Sequence, residues 1–325
     1  MDVQARRARR EQRRRAIRRR RRVAGGALVL AAAGATAAVA LAGAGSSPHA
    51  GSAHLPARAA GGQRRRSARE RSSRHARAPA PAATGRPGTD AVPILMYHVI
   101  AAPPPGAPFP GLYVEPAEFA EQMRALARGG WHAVTLNQVQ AYWRHGVPLG
   151  PGKPIVLSFD NGYNSQFTQA LPVLRRLGWV GDENLQLTGL PPSQGGLGPG
   201  QIKGLLQAGW ELDTQGVSHA ALITLDAEQL RYQVASARQT LRRRYHVPVN
   251  WFCYPSGQYD ATVVAAVRAA GFVGSTTVVP GWAHPSDDPY RLHRLRVLGG
   301  TSGQQLLELL ADTRADPPAP AEYTA

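Results

Sequence analysis

A chain of 325 residues, 43% of them hydrophobic, has room for one or two globular domains, and its single cysteine excludes an internal disulfide. The net charge of +17 belongs to residues 1–90, which hold 21 Arg against four acids, while residues 91–325 balance 17 basic against 17 acidic side chains. The charge therefore describes an N-terminal arm and says nothing about a binding face on the folded part.

Arg6 to Arg22 is a dense cationic run, and residues 23–45 follow without a single charge. At ~1.5 Å rise per residue a helix over 23–45 spans a hydrocarbon core about 30 Å thick. Cations before the span place the N-terminus in the cytoplasm and the rest outside. Two readings stand open. The segment is a single-pass anchor, or it is a signal cleaved near Ala40-Leu41-Ala42 or Ala42-Gly43-Ala44. A nucleic-acid-binding arm is the third and weakest, because an apolar span divides the arginines from the fold. Residues 46–90, rich in Ala, Gly, Pro, Ser and Arg, bury too little to offset chain entropy and read as a disordered linker.

From Val92 onward apolar strand-like runs alternate with amphipathic helical ones. Val92 to Tyr97 reads as a strand. Glu115 to Gly129 reads as a helix with Pro116 in its first turn and Phe119, Met123, Leu126 and Ala127 on one face. Pro154 to Phe159 is a buried strand, and Asn164 to Leu177 a helix stopped by Gly178. Asn184 to Leu187 is a third strand, followed by a Gly/Pro loop over Gly189 to Gly200. Gln201 to Ala208 is a short helix, and Trp210-Glu211-Leu212 opens the next strand. Asp226 N-caps a long helix to Tyr245. Asn250 to Tyr254, Gly274 to Val279 and Leu295 to Val297 complete the strands. Ala261 to Ala270 and Gly303 to Asp312 complete the helices, and a polar Pro-rich tail starts at Thr313. The alternation predicts an α/β fold with a mainly parallel sheet or barrel, its chemistry at the carboxyl ends of the strands.

Three strand-end loops stand out there. Ser158-Phe159-Asp160-Asn161-Gly162 closes a buried strand. Trp210 to His219 is a strand that runs into polar residues. Phe252-Cys253-Tyr254-Pro255-Ser256-Gly257-Gln258-Tyr259-Asp260 ends a strand in a rigid turn. Each alone is a common turn, and Cys253 alone reads as a buried, inert thiol. In this order and spacing they resemble the polysaccharide deacetylases, the carbohydrate esterase family 4. The resemblance takes in Ile94-Leu95-Met96-Tyr97-His98 and the closing Leu292-His293-Arg294-Leu295-Arg296-Val297.

That resemblance implies a distorted, incomplete (β/α) barrel over residues 91–313. It also implies a hydrolase that removes acetyl groups from an N-acetylated extracellular or cell-wall polysaccharide. Family members use a divalent metal, commonly zinc, to polarise the acetyl carbonyl and bind the attacking water. The family's base corresponds to Asp160. Its second loop Asp, a metal ligand, is here Asn161. Of its two His ligands the second is His219, and the first position holds Gln215. Neutral amides are weak donors for zinc, so metal binding and turnover are expected to be impaired, and glycan binding without turnover is the alternative reading. The motif also lacks an Arg before the Pro/Gly turn that many relatives use beside the base. A rebuilt site would bring His98 and His293 to the mouth with Asp160 and His219, His293 joining the catalytic group; the alternative is that both only pack beside the pocket. Tyr254, Pro255, Tyr259 and His98 are the expected sugar contacts, with buried packing an equal alternative for Tyr254. The expected partners are an acetylated polysaccharide and, through residues 23–45, a membrane.

Overall fold

The computed structural model describes residues 83–188, 190, 195–314 and 319–324, all within one compact unit. The arginine run, the apolar segment 23–45, most of the linker and part of the loop after residue 188 lie outside the described residues. Among the described residues no helix is long and apolar enough to cross a membrane.

Eight strands form one sheet: β1 (Ile94–Tyr97), β2 (Trp131–Val134), β3 (Lys153–Asn161), β4 (Asp182–Leu185), β5 (Glu211–Thr214), β6 (Trp251–Cys253), β7 (Gly274–Thr276) and β8 (Leu295–Arg296). Their order is β7-β6-β5-β4-β3-β1-β8, with β2 also on β3, and every pairing is parallel. Beyond β7 and β8 the edges approach one another: Thr276 and Leu292 form a parallel bridge, and the Arg294 amide donates to the Val279 carbonyl at 3.0 Å. The result is a curled, incomplete α/β barrel, as the alternation predicts.

Strand alternation gives the sheet two different faces. Leu95, Tyr97, Leu157 and Phe159 belong to one apolar cluster, in which Phe159 stacks on Tyr97 at 5.6 Å and on Trp210 at 4.8 Å. The intervening residues of β1 and β3, Ile94 and Val156, belong to another with Trp251. Farther along β3 this second face turns polar, with Ser158 and Asp160 fully or nearly fully buried. The buried carboxylate thus stands on the face that the aromatic cluster leaves free.

The helices start where their caps direct. Pro116–Arg128 opens with Pro116 and a Glu115–Glu118 capping box, and buries Phe119, Met123 and Leu126. Asp226 accepts from the Gln229 amide at 2.9 Å. Two elements absent from the sequence reading are β2 and the helix Leu136–His145. The helix carries its own signal: Thr135 accepts from the Gln138 amide while Gln138 bonds back to the Thr135 amide. The long helix expected from Asp226 contains a π-turn at Tyr232–Ser236, and Asn164 to Leu177 contains another at Gln166–Ala170. Ordered contacts begin inside the expected linker: Asp90 accepts from the Tyr142 hydroxyl at 2.6 Å. At the other end of the chain Tyr323 pairs with Tyr259.

Candidate active site

β3 ends in Asp160, Asn161 and Gly162, and the turn is sharp. Asn161 has φ 79° and Gly162 φ 84°, a left-handed pair that Asn tolerates better than most residues and that Gly adopts freely. At Gly162 a Cβ would stand 2.2 Å from Leu185 Cδ1, a side-chain end that can shift, so it is the positive φ that favours glycine here.

Asp160 is 1% exposed, and both its oxygens are bound. Arg294 donates Nη1 to Oδ1 at 2.7 Å and Nη2 to Oδ2 at 2.9 Å, and Asn184 Nδ2 donates to Oδ1 at 2.9 Å. The Cys253 thiol lies 3.5 Å from Oδ2. Burial alone would raise the carboxyl pKa. Arg294 and then His98 outweigh it and bring Asp160 down to about 2. The same environment pushes the Cys253 thiol up to about 12, so it is inert, as its apolar setting predicts.

His98, at the end of β1, places Nε2 3.9 Å from Asp160 Oδ2. Burial is the main cause that lowers its pKa to about 4; Asp160 opposes that, while Arg294, Arg296 and His219 add to it. The imidazole is therefore neutral at physiological pH. Gln166, on the π-turn, donates to the backbone oxygens of both His98 (2.9 Å) and Asp160 (2.8 Å), which locks the ends of β1 and β3 together. His219 follows β5 with φ 52°. Burial lowers its pKa and the Asp160 charge works against that, so His219 belongs to the same electrostatic cluster.

Residues 149–275 match the family model described as polysaccharide deacetylase. That stretch is similar to the polysaccharide deacetylases. YxkH of Bacillus subtilis, which carries the same family name, is 26% identical over 212 residues, covering 65% of this chain and 73% of that protein. The poly-β-1,6-N-acetyl-D-glucosamine N-deacetylase of Escherichia coli K12 is 36% identical over 66 residues, 20% of this chain and 10% of its own. Among solved structures, Streptococcus pyogenes deacetylase PplD in complex with acetate is similar with TM-score 0.63 at 24% identity, covering 68% of this chain and 98% of that one. A polysaccharide deacetylase from Bacillus cereus gives TM-score 0.60 at 22% identity, covering 68% and 69%. At these identities the structural likeness is one of fold.

The family's metal chemistry needs a donor set, and the residues here do not fit it. Among the described residues no group of three His, Cys, Asp or Glu side chains is placed to hold a metal ion. At the three family ligand positions stand His219 and two neutral amides. Asn161 Nδ2 donates to Gln186 Oε1 at 3.0 Å, and Gln215 is 2% exposed with a buried Oε1 that has no hydrogen-bond partner among the described residues. One uncharged oxygen of that kind is a poor zinc ligand. The nearest carboxylate, Asp160, is already gripped by a guanidinium, whose charge also opposes a dication.

The structure revises other expected sites. Tyr254 and Tyr259 are fully buried, stacked on each other at 4.9 Å, with hydroxyls donated to the Tyr290 and Pro320 carbonyls. Pro255 is buried too. These three pack the core beneath the turn and offer no face to a sugar. His293, 2% exposed, places Nδ1 3.5 Å from Asp287 Oδ2, and it is the next residue, Arg294, that reaches Asp160. The chain thus lacks the expected Arg in one loop and supplies a guanidinium from another. Arg294 was missed because it lies outside the motif where an Arg was sought. Its only signal is a charged residue directly before the apolar Leu295 that opens β8.

Proposed function

We propose that this domain removes acetyl groups from an N-acetylated polysaccharide of the poly-N-acetylglucosamine class. The family match over residues 149–275 supports the reaction, and the name of the Escherichia coli relative supports the sugar. The observation that carries the reading is a neutral imidazole, His98, facing a carboxylate fixed in its ionised form, with His219 in the same cluster. With both oxygens bound, Asp160 has no free lone pair placed to take a proton; its charge favours a proton on His98, against the burial that lowers that imidazole to about 4. Water attacks the acetyl carbonyl carbon and gives a proton to His98 Nε2. The C–N bond then breaks, and His98 returns that proton to the departing sugar nitrogen. Acetate and a free amine leave, and Asp160 stays ionised throughout. His98, expected as a sugar contact, takes the proton in this reading.

The amides at Asn161 and Gln215 favour a second reading, in which the cleft binds glycan without turnover. Acetate release from N-acetylglucosamine oligomers, measured with chelator and with added zinc, separates the two. Turnover that survives the chelator and is lost in His98→Gln supports His98 as base. Turnover only with added zinc moves the chemistry to a metal. Oligomer binding with no acetate under either condition assigns the chain to the second reading.

The domain's placement outside the membrane, tethered through residues 23–45, is part of the same proposal. It is supported by the cationic run before an uncharged span and by a polymeric substrate. Protease added to intact cells cleaves the domain if this is right and spares it if the domain is internal.

A further inference from the structure

Three large hydrophobic side chains are exposed among the described residues: Phe109 (69%), Tyr232 (56%) and Leu298 (43%). Two of them, far apart in sequence, flank the same short turn, Pro110–Leu112. The Gly299 amide donates to the Gly111 carbonyl at 3.0 Å, and Leu298 Cδ2 lies 3.7 Å from where a Gly111 Cβ would stand.

The turn is tied to the candidate active site. Val99, the residue after His98, donates to the Leu112 carbonyl at 3.2 Å and accepts from the Val114 amide at 2.9 Å. Tyr113 and Tyr163 share a small apolar cluster, and the Asp160 charge acts on Tyr163. On the other side Arg296, two residues before Leu298, is exposed and acts on His98. Phe109 and Leu298 therefore stand at the end of the sheet that carries Asp160 and His98.

The segment is also stiff. Pro103, Pro104, Pro105, Pro108 and Pro110 fix its backbone, and hydrogen bonds from Ala107 to Pro104, Leu112 to Phe109 and Tyr113 to Pro110 hold its turns. A rigid exposed aromatic loses little entropy on binding, which suits a recognition platform.

We propose that Phe109 and Leu298 form a sugar-ring subsite at the rim of the mouth, which takes the apolar C–H face of a pyranose next to the residue being deacetylated. This rests on the proposed function and adds a specificity: the domain prefers a polymer to a single sugar. Continuity with the cleft selects this occupant over a lipid surface or a second copy of the chain.

The test compares the full chain with its Phe109→Ala and Leu298→Ser variants, using the N-acetylglucosamine monomer and pentamer. Both side chains are exposed, so an unchanged melting temperature shows the fold intact. The expected result is about tenfold weaker pentamer binding and higher KM in Phe109→Ala, with kcat and monomer binding unchanged. A smaller effect in the same direction is expected for Leu298→Ser. If wild type binds the pentamer and Phe109→Ala binds it equally, the subsite is refuted and the function stands. If wild type neither binds nor deacetylates any oligomer, both fall. Loss of liposome binding or of self-association in Phe109→Ala, with pentamer binding unchanged, assigns the patch to another occupant and overturns the proposal.

Discussion

Arg294 and Asp160, 134 residues apart in sequence, meet in a two-pronged ion pair inside the barrel, with the guanidinium 0% and the carboxylate 1% exposed. The pair joins the last strand of the fold to the end of β3. Nη1 also donates to Ser158 Oγ at 3.1 Å and Nε to the Thr277 carbonyl at 2.7 Å, so the guanidinium spans both edges of the curled sheet. Loss of one partner leaves the other buried without its counter-charge. Arg294→Met is expected to destabilise the domain by about 3–5 kcal/mol, read as a lower urea midpoint. The double variant Arg294→Met/Asp160→Asn should recover part of that loss, because no unpaired charge remains. A double variant no more stable than the single would disprove this account.

A second set of buried carboxylates sets the pH dependence in the opposite direction. Asp182 and Glu211 are register partners on β4 and β5, and Asp213 follows on the same face of β5. Their backbone partners are the amides of Leu136, Asn137, Asn250 and Trp251. Burial raises all three. Glu211 and Asp182 raise Asp213 further, Glu211 adds to the rise of Asp182, and Glu211 itself lies at about 7 against an ordinary 4.5. Glu183 is raised as well, by burial and then by Asp160. The folded state therefore holds protons that the unfolded state releases, and stability falls as pH rises from about 4.5 through 7. Asp160 acts oppositely: its contribution is present above about 3.8 and is lost as pH falls toward 2. Urea midpoints measured from pH 3 to pH 9 should peak on the acid side of neutrality. Glu211→Gln should flatten the alkaline limb, and an unchanged limb would count against these protonated carboxylates.

The strand and helix pattern was legible because its causes are local. Pro116, Asp226 and Gly178 each act within a turn of where they stand. β2 escaped because Trp131, His132 and Ala133 are only half-buried and show no clear apolar run. The candidate site was legible for Asp160, Asn161, Gln215 and His219, which lie at strand ends. His98 emerged as an Asp160 neighbour because β1 lies beside β3, a pairing that alternation alone does not fix. Arg294 was out of reach for the same reason at longer range. Tyr254 takes the buried one of its two readings, and Tyr259 joins it, because an aromatic beside a Pro/Gly turn reads alike whether its ring faces solvent or, as here, the core.

Gly257 is a third point where the backbone dictates the residue. It has φ 70°, follows Ser256 at φ 54°, and would place a Cβ 2.2 Å from Val278 Cγ2. Its turn holds Tyr254 and Tyr259 in their stack. Gly257→Ala adds left-handed strain of roughly 1–2 kcal/mol and a clash with Val278. The expected outcome is a lower melting temperature, partly restored by Val278→Ala. No change in Gly257→Ala would show that the turn relaxes at little cost.

The two amides at the family's ligand positions make metal affinity a property that two substitutions should restore. Asn161→Asp adds an anion where Asn161 now donates to Gln186, and Gln215→His adds an imidazole where an unpartnered carbonyl now lies buried. With His219 these complete a set that zinc favours. Changes one shell farther out alter affinity by about 10- to 100-fold, so two direct ligands should raise it by more than about 100-fold. Zinc titration by calorimetry, with the metal content of the dialysed protein as a second readout, measures this without any substrate. The wild-type chain is expected to retain less than one equivalent, and each single variant to fall between wild type and double. A wild-type chain that holds one zinc ion as tightly as the double variant would mean that the present donors suffice. The chelator arm of the acetate assay would then show turnover following the metal.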